Sequence, residues 1–353
     1  MFMKKNNIQI TFILLLIGIL CVLSGCRKEE NTSESSQPEF YDFEAVTEIK
    51  AGQPNVYAVL KVLTSQYWQD IVAGITDAAN EAGCNLYVGA TVGESEWELQ
   101  QTLIERAKTA GADAVILAPC NSSMISESAD DIHSKGVPVI LVDTILNDTE
   151  SFDTCYMTDN LQAGELAAEE MIRLLKVNGV SESEPASIAI QIASTSSQTV
   201  IDRLAGFNQY WSANAPRNWK VLDEVKANNG DMDAAKQNCI DFLESYPDLK
   251  GVFGCNNSST VGFVNGLTQT DRKDIILVGF DYADETAALV GSEDWQASVV
   301  VQNQYNMGYD GLFEVVELLK GKAADYKFVD TGTRVINQEN HVEYERSLAG
   351  EDK

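Results

Sequence analysis

Polar and aromatic residues gather where apolar runs end. Thr64, Ser65, Gln66, Tyr67 and Trp68 follow the run Val56–Leu63, and Asp143 closes the run Val139–Asp143. Asn256 and Asn257 follow Val252–Cys255, Asp281 follows Ile275–Phe280, and Gln302 closes Ala297–Gln302. Amides and carboxylates exchange hydrogen bonds with several hydroxyls at once. An aromatic ring offers a flat apolar platform to the C–H face of a polyhydroxy molecule. No residue of the set is a nucleophile with a base beside it. The chemistry is recognition of a small polar ligand, not bond-making. The candidate contacts are Thr64, Tyr67, Trp68, Asp143, Asn256, Asp281 and Gln302, with no catalytic residue. Structural roles compete at each position. Trp68 also fits a helix core, Asp143, Asp281 and Asn256 also fit turns, and Gln302 also fits backbone bonding between lobes.

Composition narrows the remaining classes. Lys and Arg total 25 against 53 Asp and Glu, a net charge of -28. A surface that acidic repels nucleic acid, so no such partner is expected. Only His133 and His341 are available for a histidine-based metal site or triad. The sequence has no Gly-x-Gly-x-x-Gly after a strand, no P-loop, no Gly-x-Ser-x-Gly and no His-Glu-x-x-His, so neither cofactor nor metal is expected. Asp231-x-Asp233 is a weak echo of a calcium loop without its other ligands. Cys84, Cys120, Cys155, Cys239 and Cys255 are widely spaced and read as buried free thiols.

The elements that must position the site follow a rhythm of apolar run, loop, amphipathic helix and glycine. In the first half the strands are Val56–Leu63, Asn85–Ala90, Ala114–Ala118 and Val139–Asp143. Continuous rather than alternating runs imply strands buried on both faces, as in a parallel sheet. Trp68, Ile71, Val72, Ile75, Ala79 and Ala82 share one helix face. Ser95-x-x-Glu98 reads as a capping box for the next helix. Gly83, Gly111 and Gly136 stand where helices should end. After a polar stretch the rhythm restarts with Ser187–Ala193, Lys220–Val225, Val252–Cys255, Ile275–Phe280 and Ala297–Gln302. The fold class is α/β, two doubly wound Rossmann-like lobes with a cleft between them.

The N-terminus carries a processing signal. Lys4 and Lys5 precede a mostly apolar run, Ile8–Leu23, and then Leu23-Ser24-Gly25-Cys26. This resembles the lipobox of bacterial lipoproteins, which implies cleavage after residue 25 and lipidation of Cys26. The run is short for a stable span. Residues 26–52 read as the lipidated cysteine and a flexible tether, and 341–353 as a frayed acidic tail.

Several motifs together carry a likeness to one family. They are Gly111-Ala-Asp-Ala-Val-Ile-Leu-Ala-Pro119, Val137-Pro-Val-Ile-Leu-Val-Asp143, Asp159-Asn160 with Gly164, Arg203-x-x-Gly206-Phe207, Val252-Phe-Gly-Cys-Asn256 and Val278-Gly-Phe-Asp281. From about Val56 to Val335 the chain resembles the ribose- and galactose-type periplasmic binding proteins, the type I solute-binding subunits of ABC importers. The resemblance implies lobes that exchange strands. The N-lobe would be 53–155 plus 303–326 and the C-lobe 156–302 plus 327–340, with a hinge near Thr154–Asp159, Gln302–Gln304 and Lys327. It implies a monomer that captures a carbohydrate or related polar ligand and passes it to an ABC permease. The same module serves sensor kinases and chemoreceptors, and an anchored enzyme in the same cleft is a remote third reading. Carried over, the aromatic pair matches Tyr67 and Trp68, and the polar contacts match Asp143, Asn256, Asp281 and Gln302. The departures are Thr144 where many members have arginine, Ile201 where many have another arginine, and Thr64 where asparagine is frequent. A site without those arginines leans electronegative and fits a neutral polyol, a sugar derivative or a cationic ligand better than a simple pentose or hexose or an acid sugar.

Overall fold

The computed structural model describes residues 40–348. The signal segment 1–25, Cys26 and residues 349–353 lie outside the described residues. In chain order the first elements are β1 (Phe40–Ala45), β2 (Asn55–Leu60), α1 (Gln66–Ala82), β3 (Asn85–Thr91), α2 (Trp97–Thr109), β4 (Ala114–Leu117), α3 (Ser126–His133), β5 (Val139–Val142) and β6 (Thr154–Met157). Then come α4 (Asn160–Val177), β7 (Ala186–Ile192), α5 (Gln198–Asn214), β8 (Trp219–Ala227), α6 (Met232–Ser245), β9 (Leu249–Gly254), α7 (Asn257–Thr270), β10 (Ile276–Phe280), α8 (Asp284–Val290) and β11 (Ala297–Gln302). The chain closes with α9 (Gln304–Leu319), β12 (Phe328–Asp330), β13 (Thr333–Ile336) and α10 (His341–Leu348).

The strands make two sheets. One has the order β1-β3-β2-β4-β5-β6-β12 and the other β13-β11-β10-β9-β7-β8. Only β1 and β13, each on a sheet edge, pair antiparallel. The inner strands are the apolar runs expected, and β4 and β5 are buried at every position. Helices cover both faces, which makes the long apolar runs stable. The helix ends at Gly83, Gly111 and Gly136 all have positive φ, as the sequence pattern requires.

Close helix crossings set the thickness of each lobe. In the first, Gly74 of α1 lies against the Tyr305 backbone of α9, and Gly308 against α1 at Ile71. In the second, Gly164 of α4 lies on the Arg203 carbonyl of α5, and Gly206 on that of Leu161. A Cβ at any of the four would collide with backbone. The crossing of α4 and α5 matters for the site, because it seats Arg203.

Four expectations are corrected. The supposed tether 26–52 contains β1, which pairs with β3. Its ladder slips between Tyr41 and Glu44, so Phe40 and Phe43 turn inward three residues apart and no strand period shows. Phe43 meets Tyr57 edge-on at 4.8 Å, which anchors the strand. Second, the stretch 327–340 is not all C-lobe. Its β12 pairs with β6 in the first sheet, so the third crossing between lobes lies at Thr331–Gly332 rather than Lys327. Third, the tail from 341 starts as α10, held by buried Tyr344 against Tyr282 and Arg334. Fourth, Ser95 does not cap α2. The helix begins at Trp97 without a side-chain cap, and the Ser95 hydroxyl bonds Asn229 of the other lobe instead.

Candidate functional site

The carboxyl ends of β2, β3 and β5 face those of β9, β10 and β11 across a small cavity of about 30 Å³. Ligand pockets generally run from ~300 Å³ upward, so the lobes must part to admit a ligand and must stand wider apart around it than they do here. The carboxyl-end location is where open α/β sheets bind ligands.

The first lobe presents a buried charge network. The chain leaves β2 at Leu60, and Lys61, only 3% exposed, turns into the site. Its Nζ donates to Asp143 Oδ2 at 2.9 Å and to Thr144 Oγ1 at 2.8 Å. The Tyr67 hydroxyl donates to Asp143 Oδ1 at 2.6 Å, and Thr144 Oγ1 to Asp143 Oδ2 at 2.6 Å. Burial pushes the Asp143 carboxyl up, but Lys61 and the hydroxyl donors outweigh it and hold the group below its ordinary value. Burial works against the Lys61 charge, and Asp143 and Glu94 overcome it, so the ammonium stays above its ordinary value. Lys61 also lies 5.5 Å from the Trp68 ring. Tyr67 and Trp68 meet edge to face at 5.2 Å.

The second lobe presents a guanidinium fork. Arg203 donates from Nε to Asn160 Oδ1 at 2.9 Å, from Nη1 to the Cys255 carbonyl at 2.8 Å and from Nη2 to Gln302 Oε1 at 2.6 Å. Its Cζ lies 3.9 Å from the centroid of the Phe280 ring. Gln302 Nε2 donates to Asp281 Oδ1 at 2.9 Å, and Thr158 Oγ1 donates to Gln302 Oε1 at 3.0 Å. Burial pushes the Asp281 carboxyl up to about 7, although Arg203 and Gln302 pull the other way.

Six of the seven expected contacts line this cavity: Tyr67, Trp68, Asp143, Asn256, Asp281 and Gln302. Thr64 does not. It is exposed and lines a separate depression at the cleft edge with Glu96 and Asn229. The reason is local: the strand ends at Leu60, so the inward position is Lys61. Asn256 is partly engaged within its own lobe, donating to Ser258 Oγ at 2.9 Å and accepting from Ser259 Oγ at 2.5 Å. Sequence reasoning missed Lys61, Glu94, Ser197, Thr199 and the inward position of Arg203, and it noted Asn257 at the strand end without choosing it as a contact. Lys61 had a readable signal, a lone charge inside an apolar strand run. Arg203 had one too, an arginine on the same helix face as Val200 and Phe207. Two cations, Lys61 and Arg203, line the cavity beside its three carboxyl groups.

Hydrogen bonds join the lobes around the cavity. Thr199 Oγ1 donates to the Asp143 carbonyl at 2.9 Å and lies 3.0 Å from Thr144 Oγ1. On one side Gln198 N donates to Ser122 Oγ at 3.1 Å and Ser196 Oγ to the Cys120 carbonyl at 3.0 Å. On the other, Asn229 contacts both Ser95 and Glu96.

A family described as "periplasmic binding protein domain" matches residues 56–323. The chain belongs to that family. Two solute-binding relatives are the ribose import binding protein of Bacillus subtilis and the D-allose-binding periplasmic protein of Escherichia coli. The first is 24% identical over 248 residues, covering 69% of this chain and 74% of the relative. The second is 24% identical over 298 residues, covering 77% and 89%. A carbohydrate transporter solute binding protein from Agrobacterium radiobacter, solved with D-arabinose, superposes with a TM-score of 0.79 at 24% identity over 85% of this chain and 99% of that one. This periplasmic binding protein thus has the two-lobe type I fold. The family is one of binding proteins, not of enzymes.

Proposed function

We propose that the protein is a lipid-anchored extracytoplasmic subunit that captures a small carbohydrate and delivers it to an ABC permease. The observation that carries the reading is the cavity itself, which draws hydrogen-bonding groups and an aromatic pair from both lobes. A ligand seated there bonds both lobes at once. It therefore binds the closed form better than the open one, which is what shifts a hinge equilibrium. The three chain crossings, at Thr158–Asp159, Asn303 and Thr331–Gly332, serve as the hinge. The relatives named for ribose, allose and arabinose support the carbohydrate class. Lipidation at Cys26 would hold the subunit beside the permease as a monomer.

The test is a thermal shift of the chain from Glu29 onward against pentoses, hexoses, polyols and amino sugars, with Trp fluorescence in parallel. At 100 times its dissociation constant a ligand adds about 2.7 kcal/mol of stability. A sugar hit that is lost in Asp281→Ala and Trp68→Ala supports the reading. Silence across the panel overturns it.

A further inference from the structure

The charges that face the cavity do not cancel. They are Lys61, Glu94 and Asp143 from the first lobe and Arg203 and Asp281 from the second. Three carboxyl groups face two cations, so one acid is left without a cationic partner.

The partners show where that charge resides. Lys61 forms its ion pair with Asp143. Arg203 places its three bonds on neutral acceptors, the Asn160 amide, the Cys255 carbonyl and the Gln302 amide. Among the described residues, neither Glu94 nor Asp281 forms a salt bridge. Asp281 receives one donor, Gln302 Nε2 on Oδ1, and no side chain of the described residues donates to Oδ2. The Trp68 side chain lies within hydrogen-bonding reach of Glu94. The two anions belong to opposite lobes and line one cavity. Burial raises both carboxyls, and the neighbouring Asp143 raises both further.

We propose that the cleft selects a carbohydrate carrying a primary amine, whose ammonium is received by Glu94 and Asp281. This rests on the carbohydrate reading above and names the class within it. An ammonium has three donors and no acceptor. It supplies a cationic partner for the acids that Lys61 and Arg203 leave unpaired, and it supplies donors where the free groups are acceptors. Because Glu94 and Asp281 come from different lobes, the amine also ties the lobes together. A neutral hydroxyl satisfies the acceptors but leaves the charge. An N-acetyl group removes the charge and adds bulk beside Trp68.

The experiment is titration calorimetry of the full chain in detergent at pH 7. D-Glucosamine, D-galactosamine and D-mannosamine are each compared with the parent hexose and the N-acetyl derivative. The expected result is at least one amino sugar bound about 10-fold or more tighter than its parent, about 1.4 kcal/mol. Glu94→Gln should abolish that preference, and Glu94→Asp should retain part of it. Parent and amino sugars binding equally overturns this inference and leaves the carbohydrate reading standing. A preference that survives Glu94→Gln overturns the assignment to Glu94 and with it the proposal. Silence from every compound overturns both.

Discussion

Asp143 and Asp281 hold the same place in the two lobes. Each is the first residue beyond an inner parallel strand, and each has left-handed backbone, with φ of 66° and 69°. Each donates its backbone N–H to the next strand at 3.0 Å, Asp143 to Tyr156 and Asp281 to Val300. Aspartate tolerates this conformation better than most residues. The turn ends the strand and aims both carboxylates into one cavity. What separates them is the neighbouring lysine. Lys61 pairs with Asp143 and holds it ionised, whereas Asp281 has no such partner and is raised to about 7.

That difference makes Asp281 a cost to the unliganded fold. Its carboxyl titrates near 7 in the folded protein and near 3.8 ordinarily. Between those values the folded state holds the proton that the unfolded state has lost. Stability therefore falls as pH rises through that window, and the full penalty stands above about 7. Asp281→Asn keeps the shape and removes the charge. It should stabilise the free protein at pH 8 by up to about 4 kcal/mol, from ~1.4 kcal/mol per pKa unit, and add almost nothing at pH 3.5. Urea unfolding at the two pH values checks this. Equal effects at both would sink it. Ligand affinity should fall in the same variant, the exchange expected where a strained site serves binding.

Lys61 and Asp143 behave as one buried unit. Lys61→Met leaves an unpaired buried carboxylate, which costs ~3–5 kcal/mol. Asp143→Asn in that background removes the orphan charge and should restore most of the loss. A double-mutant cycle in urea measures the coupling. Additive effects of the two changes would show that the pair is not a unit. The depressed Asp143 carboxyl contributes stability above its ordinary titration range, and that contribution disappears as pH falls through the folded value. The acid-side loss should therefore be shallower in the double variant than in the wild type.

Much of this was legible in the residues, and the gaps have physical causes. Inner strands such as Val139–Val142 are buried on both faces, so an apolar run marks them directly. The edge strand Phe40–Ala45 escaped because its bulge breaks the alternation that marks a half-buried strand. The strand-end rule found Asp143, Asp281 and Gln302. It missed Lys61 because the apolar run continues to Leu63 while the strand stops at Leu60. No local pattern marks Glu94, which enters the cavity from a loop. The hydroxyl of Ser95 illustrates the limit further: its local motif is that of a cap, but its partner is Asn229, distant in sequence.

The helix crossing at Gly164 transmits packing to the site. A Cβ there falls on the Arg203 carbonyl, so Gly164→Ala must push α5 away from α4. Overpacking of that kind costs ~1–3 kcal/mol. The displaced guanidinium should also loosen its bond to Gln302. We expect a lower midpoint in thermal unfolding together with weaker binding of whichever sugar the panel identifies. Gly111→Ala is the control, since it lies outside the cleft and has open space around it, although its positive φ carries a strain of its own. If Gly164→Ala unfolds earlier but binds with unchanged affinity once folded, the link from crossing to site is wrong.

The bonds across the cleft mouth set how far the closed form is favoured. Ser122 Oγ accepts from Gln198 N on one side, and Asn229 bridges to Ser95 and Glu96 on the other. None of these groups lines the ligand cavity. Each hydrogen bond contributes ~1 kcal/mol net, so removing these three bonds costs up to about 3 kcal/mol, on the order of a hundredfold in the closed-to-open ratio. Ser122→Ala with Asn229→Ala should therefore open the free protein, seen as a larger radius of gyration in small-angle scattering. Saturating ligand should close it again, because the cavity contacts are intact. The apparent affinity should weaken by the fraction of closed form lost. A radius unchanged from wild type without ligand would mean that the remaining interlobe bonds, among them Ser196 Oγ to the Cys120 carbonyl and Thr199 Oγ1 to the Asp143 carbonyl, hold the lobes together without these groups.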